Sequence, residues 1–272
     1  AADKWQRMKI EPSGLCSDAD FVRRVYLDLT GLPPSTKVVE KFLTDKRDAR
    51  AKRDELINQL VGNNDYVDHW ANKWADLLQV NRKFLGAEGA KAFRDWIRNE
   101  VKTNTPYDEF ARKILTASGS NKTNPPASYY KILRKPDAIM ENTTHLWLAT
   151  RFNCNKCHDH PFERWTQDDY YGWAALFSRV RYKVLENKRR DGFDKNAFIG
   201  EQIVWMARDG ALKDPRDGSG VTPRLLGTGD GIPAKEDDLM EFLAEWVISR
   251  ENPFFARSLV NRIWFNLMGK GI

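Results

Sequence analysis

Apolar residues recur at helical spacing along most of this chain, and that period restricts it to a fold made chiefly of packed helices. Asp18 to Leu29 sets Phe21, Val22, Val25, Tyr26 and Leu29 on one side, and Gly31-Leu32-Pro33-Pro34 stops the run. Ser35 is placed to cap a second helix through Phe42 and Leu43. Asp48 to Val61 groups Leu56, Ile57 and Leu60; Tyr66 to Val80 groups Val67, Trp70, Trp74, Leu77 and Leu78. Further helices are predicted at Gly89 to Val101, Tyr107 to Ala117, Ala138 to Ala149, Gln167 to Val180 and Glu236 to Ser249, with a last one from Asn252-Pro253 to Met268.

Three stretches break the period. Pro125-Pro126 marks Asn121 to Ser128 as a loop. Between Tyr182 and Ala207, Phe198, Ile199, Ile203, Val204 and Trp205 mix β-branched and aromatic types and predict a small hairpin. Asp209 to Lys235 is rich in Gly, Pro and Asp and reads as a long loop. The expected architecture is mainly α: an irregular multi-helix domain with a small β-hairpin insertion over 12–208, a Gly/Pro-rich loop over 209–235, and a helical segment over 236–272 that begins a following module. The final helix carries Leu259, Ile263, Trp264 and Leu267, a face that needs something to pack on, so the natural polypeptide is expected to continue.

Composition bounds the function. The 272 residues suffice for a real core. The net charge of +6 is spread along the chain, and the densest basic run, Lys188-Arg189-Arg190, is short and followed by Asp191, so no nucleic-acid partner is expected. No apolar run is long enough to span a bilayer, and Ala1-Ala2-Asp3-Lys4-Trp5 lacks the apolar region of a signal peptide. G-x-S-x-G, H-E-x-x-H and the P-loop pattern are missing, and Gly227-Thr228-Gly229-Asp230-Gly231 lacks the strand and helix that a dinucleotide site requires. Asp168-Asp169 and Asp237-Asp238 read as helix N-termini, where carboxylates favour the dipole.

Of three cysteines, Cys16 stands apart, and two fall in Cys154-Asn155-Lys156-Cys157-His158. Two thiols three residues apart on a tight turn can each add to one vinyl group of a single porphyrin, and the next histidine then reaches the iron. This spacing points to one covalent haem c, with thioethers at Cys154 and Cys157 and His158 as proximal ligand. Zinc is the alternative, held by Cys154, Cys157, His158 and His160, although no second ligand pair follows. A thioredoxin-like dithiol would want a βαβ context, and this segment follows a helix instead.

The second axial ligand is open among His69, His160 and His145, with Met140 a weaker candidate. His160 lies close to the proximal ligand and also suits a hydrogen-bonding role; His69 sits on the helix of Trp70 and Trp74; His145 lies on the helix entering the motif. An unfilled sixth position would permit chemistry on a peroxide or other small oxidant. Phe162 and Trp165, near the motif with Phe152 and Trp173, are candidates for an apolar haem wall.

Four stretches carry a family resemblance: Cys16 to Pro34, His69 to Leu78, Phe93 to Ile97, and Cys154 to Trp165, which reads Cys154-Asn155-Lys156-Cys157-His158-Asp159-His160-Pro161-Phe162-Glu163-Arg164-Trp165. Over roughly Pro12 to Val180 the chain resembles the planctomycete secreted cytochrome-like domain, a domain of unknown function. Asn252 to Trp264 resembles the start of the second uncharacterised module that usually follows it. The resemblance implies an exported protein, periplasmic or at the cell surface, and histidines shared at His69, His158 and His160; at His145 the pattern carries a different residue. The expected role is a monohaem electron-transfer module rather than a catalyst, working with a redox partner protein and joined to a downstream module, in a fold other than the small compact cytochrome c fold.

Overall fold

The computed structural model describes residues 2–11, 13–189, 199–227, 232 and 238–272. They gather in two compact units, Ala1–Trp70 and Ala71–Ile272. The first holds α1 (Ala2–Arg7), α2 (Asp18–Thr30), α3 (Thr36–Thr44), α4 (Ala49–Leu60) and the opening of α5 (Asn64–Leu77). Helix α2 starts where Ser17 Oγ accepts the Asp20 N–H at 3.1 Å and ends at Gly31, whose φ is 69°. A Cβ on Gly31 would lie 2.3 Å from His69 Nδ1, so both the backbone and the ring packed there call for glycine. Ser35 holds the cap position of α3 without a side-chain cap bond, whereas Asp48 caps α4 by accepting from Ala51 N at 3.0 Å. Val22, Val25, Phe42, Leu56 and Leu60 form this unit's core.

One ionic cluster ties α4 to the start of α2. Lys52 is buried, and its ammonium reaches Asp18 Oδ2 at 2.5 Å, Asp45 O at 3.0 Å and Phe42 O at 3.3 Å. Arg53 donates to the other Asp18 oxygen from Nε (3.0 Å) and Nη2 (2.7 Å), and lies over the Phe21 ring. A buried ammonium persists only where its donors are satisfied, and Asp18 supplies the counter-charge.

The second unit contains α6 (Arg82–Lys102), α7 (Tyr107–Leu115), α8 (Ser128–Ile132), α9 (Pro136–Leu148), α10 (Gln167–Ala174), α11 (Leu239–Ile248) and α12 (Phe255–Met268). The mainly α class is therefore the observed one. Helix α6 begins upstream of the predicted Gly89, with Gly86 at φ 69° breaking it inside. The predicted loop over Asn121 to Ser128 contains a 3₁₀ turn, Pro125–Ala127, leading directly into α8; proline at a helix start loses no intrahelical bond. Gln167 to Val180 is not one α-helix: α10 stops at Ala174, and a 3₁₀ turn, Ala175–Arg179, delivers the chain into a strand.

That strand, β2 (Val180–Val184), pairs antiparallel with β3 (Gln202–Met206) as the predicted hairpin; β3 also pairs with β1 (Gly119–Ser120), giving the order β1-β3-β2. Buried Asn121 locks the junction, its Oδ1 accepting from Gln202 N and its N–H donating to Gln202 O. The Gly-rich stretch after Asp209 holds a two-residue ladder, β4 (Leu212–Lys213) with β5 (Gly220–Val221). Arg190 and Asp191 of the basic run, Phe198 of the hairpin, Thr228 to Gly231, Glu236, Asp237 and the boundary residue Pro12 lie outside the described residues.

The second unit's core is aromatic, built around Trp147, Trp173, Phe93, Phe110 and Phe177 with Ile97 and Leu243. Trp173 Nε1 donates to Thr144 Oγ1 at 2.7 Å, which itself donates to Met140 O, so the buried indole and hydroxyl are both satisfied. Met140 is wholly buried inside α9. No helix among the described residues is long and apolar enough to cross a membrane.

The Asp18 cluster predicts a pH signature. Hydrogen bonds from Lys52, then Arg53, hold the Asp18 carboxyl below its ordinary 3.8. A depressed carboxylate stabilises the fold above its unfolded value, and that contribution is lost as pH falls through the lower folded value. Asp18→Asn should speed amide exchange over residues 18–60 at pH 7, and the difference from the parent chain should vanish in acid, once the pH lies below the lowered Asp18 value. Equal differences at both pH values would contradict the assignment.

Candidate functional site

Helix α9 delivers the cysteine motif through an unusual turn. Ala149 closes the helix at φ 54°, a left-handed conformation costing an L-residue about 1–2 kcal/mol, while its N–H donates to Thr144 O. The chain then buries Phe152 and enters a 3₁₀ turn, Asn153–Lys156. Asn155 N donates to Phe152 O at 2.9 Å, and Cys157 N and His158 N both point at Cys154 O at 3.2 and 3.3 Å.

Within the pentad one residue faces inward. Asn155 is fully buried, and its Nδ2 donates to Trp165 O at 2.7 Å and Thr166 O at 3.3 Å, while its Oδ1 has no partner. Cys154, Lys156, Cys157 and His158 are exposed, and both thiols are free. Trp165 O also accepts from His160 N at 2.9 Å, so residues 155–166 form a loop closed from beneath. Further struts come from α10: Gln167 Nε2 and Tyr171 Oη both donate to Lys156 O at 3.0 Å, and Gln167 N donates to Asp159 Oδ1 at 2.8 Å. Thr166 and Asp169 make the reciprocal capping box that starts α10.

Helix α9 adds the other side. Lys156 Nζ pairs with Asp137 Oδ2 at 2.8 Å, and that bond raises the Lys156 ammonium; at Asp137 burial pushes the carboxyl up, but the Lys156 bond and charge, the Ala138 N–H and the Lys135 charge together leave it lowered. Glu141 accepts from Tyr170 Oη (2.6 Å) and Asn153 Nδ2 (3.1 Å); burial, then Glu141, pushes the Tyr170 phenol far up.

The two motif histidines are held in opposite ways. His158 Nδ1 lies 2.7 Å from Asp159 O. A carbonyl only accepts, so Nδ1 carries the proton and Nε2 keeps its lone pair in the neutral ring, the arrangement of a metal-ligating imidazole. His160 Nδ1 instead accepts the N–H groups of Phe162 (3.2 Å) and Glu163 (3.0 Å), so its proton sits on Nε2. That ring organises the loop; a histidine ligating through Nε2 would carry its proton on Nδ1 and face an acceptor there, not two amide N–H groups. His145 is exposed on α9, kept toward its neutral form by burial, then by Arg151 and Arg262. His69 belongs to the first unit, where its ring meets Trp70 edge-on at 5.7 Å.

The expected aromatic wall is split. Trp165 is buried, 5.7 Å from Phe152 and 6.0 Å from Phe254, with the Arg164 guanidinium over its ring. Phe162 is 92% exposed beside the motif. Among the described residues no three His, Cys, Asp or Glu side chains converge to hold a metal ion. The two thiols and His158 fit a group bound mostly by covalent bonds, since such a group needs only one protein nitrogen. Asn155 escaped notice because a polar residue between two cysteines looks like any surface position, and Gln167 and Tyr171 because they lie on α10, outside the motif.

Residues 1–182 match the family model PSCyt2, protein of unknown function (DUF1549), and residues 241–272 match PSD1, protein of unknown function (DUF1553). No curated protein and no solved structure matches the chain.

Replacing Asn155 should separate scaffold from chemistry. Asn155→Ala leaves Thr166 O without its side-chain donor and is expected to cost about 1–3 kcal/mol, read as a lower Tm with faster amide exchange confined to residues 152–167. Unchanged exchange there would show that the loop does not rest on this amide.

Proposed function

Because the chain belongs to the DUF1549 family, within which no activity is established, we propose from the site that residues 152–167 are the attachment loop of a single-haem electron-transfer module in an exported protein. One observation carries this reading: the turn points Asn155 inward and presents two free thiols and an imidazole with an available Nε2 outward together. Buried structural cysteines are inert, whereas these are displayed for reaction.

Cys154 and Cys157 would hold the haem as thioethers, each S–H adding across one vinyl C=C so that the hydrogen ends on the neighbouring carbon and no oxidant or leaving group is required. His158 would supply Nε2 to the iron, its ring oriented by Asp159 O. Once bound, the group supplies an iron that exchanges one electron, at a potential that ligands and burial tune over about 0.8 V across haem proteins. The chain contributes the rest: struts from α9 and α10 keep Lys156 O and Asp159 still, and exposed Phe162 offers apolar surface beside the thiols. His160 stays with the loop, its Nδ1 accepting the Phe162 and Glu163 amides, and would not serve as a second ligand through that nitrogen. Export places the thiols where thioether formation is catalysed, and a redox partner protein completes the role. The match at 241–272 indicates a multi-domain polypeptide, so that partner acts on one module of a longer arrangement.

Zinc is less well served. It would need Cys154, Cys157 and histidine nitrogens to converge, and His160 turns its free lone pair to the backbone.

The test is expression with cytochrome c maturation machinery. The parent chain should gain the mass of one haem and keep a haem stain after denaturation. Cys154→Ala with Cys157→Ala should lose the stain completely, while His158→Ala should keep it and shift the Soret and visible bands. A parent chain that leaves the maturation system at its apo mass, or carries stoichiometric zinc, overturns the reading.

A further inference from the structure

Away from the cysteine loop, four buried polar atoms without hydrogen-bond partners belong to residues of one neighbourhood of the second unit: Tyr107 Oη, Trp147 Nε1, Ser258 Oγ and Arg262 Nη1. They come from α7, α9 and α12. The Tyr107 ring lies 5.7 Å from Trp147 and 4.7 Å from Phe255, and Phe255 lies 6.3 Å from Trp147. Trp74 stacks on Trp147 at 6.0 Å, and the Arg262 guanidinium sits over the Trp74 ring at 5.6 Å. Arg262 Nη2 donates to Leu146 O at 2.9 Å, beside Trp147. On α12, Ser258 follows Phe255 by three residues and precedes Arg262 by four, so all three share one helical face.

The chemistry of the four atoms is one-sided. An indole N–H and a guanidinium N–H can only donate, and the two hydroxyls can donate as well. Arg262 also carries a charge. Among the described residues its side chain makes no ion pair, and its one side-chain hydrogen bond is to Leu146 O; its charge helps to hold nearby His145 toward the neutral form. Burial lowers the guanidinium pKa and raises the Tyr107 phenol, and each group offsets only part of the shift of the other. Buried charges in proteins are paired, and an unmet buried donor costs about 1–3 kcal/mol. Water could satisfy the hydroxyls and the indole, but would leave the guanidinium without a counter-charge.

We propose that Tyr107, Trp147, Ser258 and Arg262 form a binding site for one small monovalent anion of the halide class, enclosed between α7, α9 and α12. Trp147 is wholly buried and Ser258 nearly so, Tyr107 and Arg262 are half-buried with their unmet Oη and Nη1 turned inward, and aromatic walls at Trp74 and Phe255 suit a monatomic anion better than a sulfate or phosphate. Tyr107 and Trp147 lie in the stretch matched to DUF1549, whereas Ser258 and Arg262 lie in the stretch matched to DUF1553. The anion would therefore couple the start of the second matched segment to the helices of the first.

Chloride titration tests this without reference to the cysteine loop. With ionic strength held constant by sodium gluconate, the Tm of the parent chain should rise with chloride and saturate, and amide exchange over residues 255–268 should slow in step. Trp147→Phe and Tyr107→Phe keep the rings and remove one donor each; either should shift the half-saturating chloride at least tenfold upward. Arg262→Met should abolish the response, and Arg262→Lys should retain part of it. Crystals grown in sodium bromide should show an anomalous peak among the four atoms. A flat or non-saturating chloride response, one shared by all four variants, or water density without a bromide peak would each overturn the proposal.

Discussion

The amide of Asn155 determines which way the cysteine turn faces. Once Nδ2 is bonded to the carbonyls of Trp165 and Thr166, the 3₁₀ geometry of Asn153–Lys156 leaves the neighbouring residues no inward direction, and Cys154, Cys157 and His158 are exposed. The closure also brings His160 N onto Trp165 O and carries the chain into the Thr166 cap of α10. Helix α10 then returns two donors to Lys156 O through Gln167 and Tyr171. Each contact depends on the one before it, so the display of the thiols is a property of the whole loop rather than of the pentad.

This arrangement separates duties that residue types alone would merge. Two histidines stand two positions apart, yet backbone partners assign them opposite tautomers: a carbonyl keeps the proton on Nδ1 of His158, and two amides keep it off Nδ1 of His160. Ligand and organiser are distinguished by what the main chain offers each ring. The aromatic residues divide likewise, with Trp165 buried as part of the floor and Phe162 left on the surface.

The two family matches meet in the second unit's core. Helix α12 rests on α9 through Arg262 and Leu146, and α11 packs Leu243 and Trp246 near Trp173 and its neighbours. The segment matched to DUF1553 thus shares one aromatic interior with the segment matched to DUF1549, and buried polar atoms such as Arg262 Nη1 collect where they join. Polar groups at such a junction specify how the helices dock, because each one must find a partner or be expelled.

Helical periodicity, the stop at Gly31 and the β-branched hairpin were legible in the sequence, since each rests on local backbone preference; Ser35, read as a cap, makes no side-chain cap bond, and the caps at Ser17 and Asp48 emerged only in the fold. The cysteine motif was legible too, because its spacing is chemical information in itself. The brief helix after Pro125-Pro126, the break at Gly86 and the two-residue strand at Gly119 were not, because segments that short are held by long-range partners such as Asn121 and Gln202 rather than by their own propensity. The same limit applies to the site. Residue types could nominate Cys154, Cys157, His158 and three other histidines, but proton placement and burial depend on atoms far along the chain, and only the tertiary structure brings Trp165 O to Asn155 and Tyr171 to Lys156.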